Sequence, residues 1–265
     1  MRRINLVLSL VIFAGACSQA PPSVVPLFSG ELVDLSHPYD ERTLYWPTSD
    51  TFRLDRVSEG VTPAGYYYAA NNVFTAEHGG THIDAPIHFA AGRPTVDQIP
   101  LKRLLGPAVV VDVVRQSEAD ADYQVTIEDL QRWESERGEI PADAIVLVRT
   151  GFSLRWPDAS RYLGTSERGA AGVEKLHFPG LHPDAARWLV ANRPIKAIGI
   201  DTASIDYGQS RLFESHRVLF EREIPAFENL TALDQLPPTG AVVIALPMKI
   251  GGGSGAPLRA VAIVR

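Results

Sequence analysis

The sequence predicts one α/β domain, a single compact unit with a mixed β-sheet flanked by helices. Ala108 to Val114 and Ala144 to Arg149 are short continuous apolar runs of the kind that fill strands buried on both faces. Segments with helix-capping chemistry lie between and after such runs, so strands and helices interleave. No internal repeat and no second linker divides the chain. The 265 residues suit one large domain, and the composition is ordinary for a globular protein. A net charge of −6 leaves no basic footprint, which argues against nucleic acid as a partner.

Residues 1–16 stand apart from the fold. Arg2 and Arg3 form a positive start, Ile4 to Phe13 is apolar, and Ala14-Gly15-Ala16 is a small-residue cleavage site, so this stretch reads as a signal peptide. The apolar run is too short to span a bilayer. Cys17, the single cysteine, follows directly, as in a bacterial lipoprotein signal whose cysteine becomes the acylated first mature residue. Ordinary cleavage at the same site would instead leave Cys17 as a free thiol. Either route exports the protein, to the periplasm or to a lipid-anchored place on the outer envelope, with membrane contact only through that anchor. One cysteine allows no internal disulfide, so the core alone must stabilise the fold. Residues 17–26 are small and proline-rich and read as a tether, which leaves 27–265 as the domain.

Leu27 to Leu35 reads as the first strand. Leu44 to Asp50 is an aromatic cluster in turn chemistry, with Trp46 a candidate aromatic wall. Tyr66 to Thr75 is a further strand. Thr126 to Asp129 resembles a capping box opening a helix that turns Leu130 and Trp133 to one face. His182-Pro183-Asp184 opens another, with Ala186, Leu189 and Val190 inward. Lys196 to Asp201, Val242 to Leu246 and Arg259 to Val264 complete the strands. Asp201 to Asp206 is a polar turn leaving a strand end, where α/β proteins commonly site function, although turn and cap chemistry explains it equally well.

The chemistry concentrates at Glu77 to Phe89, into which the tyrosine-rich strand runs. His78, His82, His88 and Asp84 lie there, in a chain with seven histidines. Neutral imidazole nitrogens and a carboxylate suit a borderline divalent ion such as zinc or manganese. Gly79, Gly80 and Pro86 break a helix, and in an extended segment the four side chains share a parity and hence a face. The glycines are expected to let backbone lie close to the ion, and Pro86 to end the strand. The alternative is a turn-rich stretch whose histidines are surface or satisfied core groups. His37, His177 and His182 read as structural or surface residues. On residue chemistry alone His216 is an exposed helical histidine and Glu228 an ordinary glutamate.

The segment from His78 to Phe89 resembles the signature of the metal-dependent cyclase family, His-x-Gly-Thr-His-x-Asp-x-Pro-x-His, at every fixed position. That family includes bacterial kynurenine formamidase and isatin hydrolase. The likeness extends through Trp46-Pro47, Phe178 to Leu181, Gly199 to Thr202 and Gly253 to Pro257. It implies a compact α/β fold, usually a homodimer with sites near the subunit boundary. It also implies His78, His82 and Asp84 as first-metal ligands, His216 and Glu228 as later ligands, and Asp84 as the carboxylate shared when two ions bind. His88 resembles the catalytic histidine, and Trp46 the aromatic residue lining the substrate pocket.

The activity so implied is hydrolysis of an amide C–N bond in a small aromatic substrate, with Zn2+ as the expected ion and Mn2+ accepted by the same donors. An arylformamidase acting on an N-formylkynurenine-like substrate is placed first. An isatin-hydrolase-like opening of a cyclic amide stands close behind it. A non-catalytic exported protein binding a metal or aromatic ligand is the third reading, which an intact His88 disfavours. Two features sit awkwardly with tryptophan catabolism: the export signal, and a segment, Arg155 to Lys175, inserted relative to compact formamidases.

Overall fold

The computed structural model describes residues 30–264; the signal-like residues, Cys17 and the tether lie outside them. The strands are β1 (Glu31–Asp34), β2 (Arg53–Val61), β3 (Tyr67–Phe74), β4 (His82–Asp84), β5 (Leu105–Asp112), β6 (Gln124–Val125), β7 (Ile145–Arg149), β8 (Gly180–Leu181), β9 (Ala197–Ile200), β10 (Ala226–Glu228), β11 (Thr239–Pro247) and β12 (Gly255–Val264). The helices are α1 (Val114–Ala119), α2 (Ile127–Arg137), α3 (Ala159–Tyr162), α4 (Ala170–Val173), α5 (Pro183–Asn192) and α6 (Glu214–Phe220).

The main sheet is mixed, as expected. β5, β7, β9 and β10 run parallel, because α1 and α2, then α3 to α5, then α6 carry the chain back between them. β11, β12, β1 and β4 join antiparallel. The order β1-β12-β11-β5-β7-β9-β10-β4 is closed by pairing of β4 with β12, so every strand of this sheet but β1 belongs to one ring. That closure brings the histidine-bearing β4 between β10 and β12.

Alternation along the central strands fills two cores. Ala108, Val110, Ile145 and Leu147 point inside the ring, with Ile83, Phe227 and Val243. Val109, Val111, Val146 and Val148 point outward, beneath Leu130 and Trp133 of α2, Ala186 and Leu189 of α5, and Leu219 of α6. Burial on both faces explains the unbroken apolar runs of β5 and β7. The capping box forms as read: Thr126 Oγ1 accepts from the Asp129 N–H, and Asp129 Oδ2 accepts from the Thr126 N–H at 2.9 Å. A third cluster gathers Phe152, Tyr162, Leu163, Leu176 and Phe178 around Trp46 and Trp156, so the segment 155–175 packs into the body of the protein.

The β2–β3 hairpin contrasts with the rest. Leu54, Val57, Val61, Tyr67, Tyr68, Val73 and Phe74 are all exposed, on both faces of a two-stranded ribbon. Such a ribbon is marginal alone in water.

Of the three histidines read as structural or surface residues, two lie at the surface, His177 facing Asp122 at 2.7 Å and His182 capping α5. His37 is instead enclosed. Its ring stacks on Trp156 with centroids 4.1 Å apart, and its buried Nε2 has no hydrogen-bond partner among the described residues. Burial pushes its pKa down to about 4, against a small upward pull from Asp34. The unfolded chain, near 6.5, then takes up a proton that the folded chain refuses, so stability is lost as pH falls from 6.5 to about 4. Denaturation by urea at pH 7 and pH 5 should show about 1–2 kcal/mol less stability at the lower pH from this group, allowing for its partial exposure. His37→Phe should remove that share; an identical pH response in the variant would refute it.

Candidate metal centre

β4 is three residues long and hydrogen-bonded on both sides, with His82 opposite Glu228 of β10 and Asp84 opposite Gly255 of β12. Alternation within β4 puts His82 and Asp84 on one side, as parity predicts. His78 and His88 reach that side by other means. His78 precedes a turn, and His88 ends a 3₁₀ turn (Pro86–His88) that Pro86 opens at its first position. The uniform extended face expected from 78 to 88 is therefore confined to 82–84. Pro86 does end the strand.

The two glycines serve a different purpose from the one expected. A side chain at Gly79 would overlap the Tyr45 ring, and one at Gly80 would meet Tyr39. Gly80 also has φ +57, a left-handed turn that favours glycine. They admit tyrosine rings against the backbone rather than an ion. Tyr39 Oη donates in this region, lying 2.7 Å from the Gly79 carbonyl and 2.6 Å from that of Thr81, which holds the turn.

Two sets of donors converge, each with its ligand atoms within 4.8 Å: His78, His82 and Asp84, and Asp84, His216 and Glu228. Asp84 divides its oxygens between them. Oδ1 lies 2.7 Å from His78 Nδ1 and 3.1 Å from His82 Nε2, whereas Oδ2 lies 3.1 Å from His216 Nε2. Glu228 divides in the same way, with Oε1 3.1 Å from His216 Nε2 and Oε2 3.5 Å from His82 Nε2. His216 is buried, not exposed as its helical setting suggested, because α6 turns it inward beneath the ring of strands.

The electrostatics fit a cation. Burial pushes Asp84 upward, but the His78 charge and hydrogen bonds from His216, His78 and His82 outweigh it and hold its carboxyl well below the ordinary range. Burial raises Glu228, reinforced by the Asp84 charge, against His216 and His82. Burial alone would lower His82 and His216; the surrounding acids overcome it and raise both, His216 well above 6.5. These buried acids therefore hold protons on the imidazoles, the positive charge that a divalent ion would replace.

Tautomers agree with that role. His82 Nδ1 donates to the Gly80 carbonyl at 2.9 Å, which leaves Nε2 for the cluster. Asn229 Nδ2 donates to the same carbonyl at 2.7 Å, and Tyr162 Oη to Asn229 Oδ1 at 2.8 Å. His216 Nδ1 faces Asp206 Oδ2 at 2.5 Å, the carboxylate–histidine arrangement that orients metal ligands. Asp206 ends the polar turn 201–206, so that turn contributes to the site. Asp201, by contrast, accepts from the Thr150 and Gly151 N–H groups and ties β7 to β9.

A cavity of about 240 Å³ opens over the cluster. Trp46 lines it, with Leu44, Phe89, Leu163 and Phe213 in the same apolar wall. Among the described residues no lysine or arginine lines it. His88 stands at its floor with its ring stacked on His78, centroids 3.9 Å apart, and among the described residues no group hydrogen-bonds its ring nitrogens. Residue chemistry alone missed Phe213, Leu163 and Asn229, whereas Asp206 lies in the polar turn it had singled out. Phe213 carried one signal only in the structure, a left-handed backbone (φ 48) rare for a bulky residue.

A family described as "Putative cyclase" matches residues 33–207. Isatin hydrolase of Roseibium aggregatum is 35% identical over 208 residues, 76% of each chain. Kynurenine formamidase of Bordetella petrii is 30% identical over 187 residues, 69% of this chain and 75% of that one. The solved structure of isatin hydrolase A from Ralstonia solanacearum superposes with a TM-score of 0.80 at 35% identity, over 89% of this chain and 92% of that chain. An isatin hydrolase bound to the product analogue thioisatinate gives 0.79 at 32% identity, over 88% and 92%.

Proposed function

The chain belongs to the cyclase family and is a hydrolase of non-peptide C–N bonds; we propose that it uses a divalent metal to open the ring of a compact, uncharged aromatic cyclic amide. The observation that carries the choice is the cavity lining. A substrate with an amino-acid tail, such as N-formylkynurenine, brings a carboxylate that needs a cationic partner once desolvated. Away from the metal cluster this cavity offers no lysine or arginine among the described residues, and its acids, Asp84 and Glu228, are committed to histidines. A flat ring system is served by the aromatic wall of Trp46, Phe89 and Phe213.

We assign His78, His82 and Asp84 to one ion and Asp84, His216 and Glu228 to a second, with zinc favoured and manganese compatible with the same donors. When bound, such an ion lowers the pKa of water toward neutrality and polarises a carbonyl. The chain's own residues do the rest. Asp84 and Glu228 concentrate negative charge, and Asp206 and Gly80 orient His216 and His82. The aromatic wall holds the ring and excludes bulk water. His88 takes a proton as water adds to the carbonyl carbon, and returns it to the ring nitrogen as the C–N bond breaks, leaving an aniline and a carboxylate.

Cleavage of an aryl formamide by the same residues is the second reading, favoured by the His216 and Glu228 pair that resembles formamidase ligands. Metal-loaded protein assayed by absorbance on isatin and on N-formylkynurenine separates the two. The expected result is at least about tenfold higher kcat/KM on the cyclic amide, roughly 1.4 kcal/mol, with activity abolished by chelator and restored by Zn2+ or Mn2+. The reverse preference would select the formamide. Tight metal binding with no turnover of any amide, lactam or ester would select a binding protein.

For the assembly, we propose a homodimer that covers the exposed apolar faces of the β2–β3 hairpin. That hairpin ends just before His78, which agrees with a site near the subunit boundary. Export, with a lipid anchor at Cys17, remains our proposal from the leader sequence.

A further inference from the structure

We propose that Glu77 and Ser254, acting in series, position His78 and dictate which of its nitrogens faces the cation. The inference rests on the metal assignment above. His78 differs from its two partners: it offers Nδ1 to the cluster, whereas His82 and His216 offer Nε2. Its Nε2 lies 2.9 Å from Ser254 Oγ. Ser254 Oγ lies 2.6 Å from Glu77 Oε2, and that same oxygen accepts the Ser254 backbone N–H at 3.0 Å. Glu77 Oε2 is thus an acceptor, and the single hydroxyl proton of Ser254 goes to it. Ser254 has only lone pairs left for His78. His78 must therefore donate from Nε2, which leaves the Nδ1 lone pair for an ion.

The neighbouring sequence makes room for this chain. A side chain at Gly253 would sit 2.8 Å from Glu77 Oε1, and one at Gly255 would fall against the His78 ring. The Ser254 carbonyl accepts the Ala85 N–H at 2.8 Å, and Gly255 pairs with Asp84 across β12 and β4. The loop that carries the serine is thereby tied to the strand that carries the ligands. Glu77 and Ser254 touch no substrate; they are positioning residues that act through His78.

The test uses the metal-loaded protein and its metal-stripped form, with Ser254→Ala, Glu77→Met and the double variant. Zn2+ affinity is read by chelator competition, and the proton on His78 Nε2 by ring nitrogen shifts in the loaded and the stripped protein. Ser254→Ala should weaken the tighter ion about 10–100-fold, the usual loss for an outer partner of a ligand. Glu77→Met should weaken it less. The double variant should match Ser254→Ala, because Glu77 works through the serine. A wild-type His78 carrying its proton on Nε2, and a mixture of tautomers in both single variants, should accompany those losses. Unchanged affinity in Ser254→Ala, or losses that multiply in the double variant, would overturn the proposal. If Ser254→Ala fails to fold, Glu77→Met decides: unchanged affinity and an unchanged tautomer refute it. If wild-type protein binds no ion, the metal assignment fails, and the nitrogen shifts still test the positioning.

Discussion

Asp84→Ala is expected to cost both the metal and the reaction. Asp84 contacts all three histidines of the two donor sets: Oδ1 faces His78 and His82, and Oδ2 faces His216. It also belongs to both donor sets, so its removal leaves each set short of its shared carboxylate. Its burial adds to the effect, since no other acid or water replaces a charge at a wholly enclosed point without rearrangement. Glu228, relieved of a neighbouring charge, does not compensate, because burial itself favours its neutral form. We expect metal content after desalting to fall to near zero. We expect kcat/KM to fall at least about 10³-fold, roughly 4 kcal/mol of transition-state stabilisation. Asp84→Asn keeps the shape and one carbonyl oxygen but not the charge, and should lose most of the same affinity. An Asp84→Ala protein that keeps its full complement of ion and turns over normally would show that the cluster is assembled around some other group.

The sequence exposed half of this centre and hid the other half. His78, His82, Asp84 and His88 are legible because one strand and its flanking turns carry them, and local backbone preferences read directly from residues such as Pro86. His216 and Glu228 are different. They arrive on α6 and β10, and only closure of β4 onto β10 brings Glu228 opposite His82. Nothing local to a seven-residue helix says which face is buried. The resemblance to a family pointed to those two residues where residue chemistry did not. The strands that sandwich helices and core were legible as apolar runs, whereas β2 was not. It carries Arg53, Asp55, Arg56 and Glu59 with both faces exposed, so no inward period exists to be read. The roles of Gly79 and Gly80 were hidden for a related reason: the tyrosines they accommodate lie more than thirty residues earlier in the chain.

His88→Ala separates binding from chemistry. His88 belongs to neither donor set, and its ring stacks on His78 without hydrogen-bonding to any ligand. Removing it should therefore leave metal content and affinity close to wild type. Its proton traffic is another matter. Burial, more than any neighbour, pushes its pKa down to about 4, so at neutral pH the ring is uncharged and has a free lone pair with which to take a proton from water. A dication bound beside it would depress the value further. The His88 share of the acid limb of wild-type kcat/KM should accordingly lie at or below about 4, where the protonated ring accepts nothing, and not near neutrality. Loss of one positioned general base costs about 10²–10⁴-fold, and we expect His88→Ala to fall in that range in kcat. The variant should also lose that part of the acid limb which the imidazole contributes, and added imidazole should restore some rate by entering the space left over the cluster. A His88→Ala enzyme with metal intact and kcat within about threefold of wild type, a barrier change of roughly 0.7 kcal/mol, would show that protons leave the attacking water by another route.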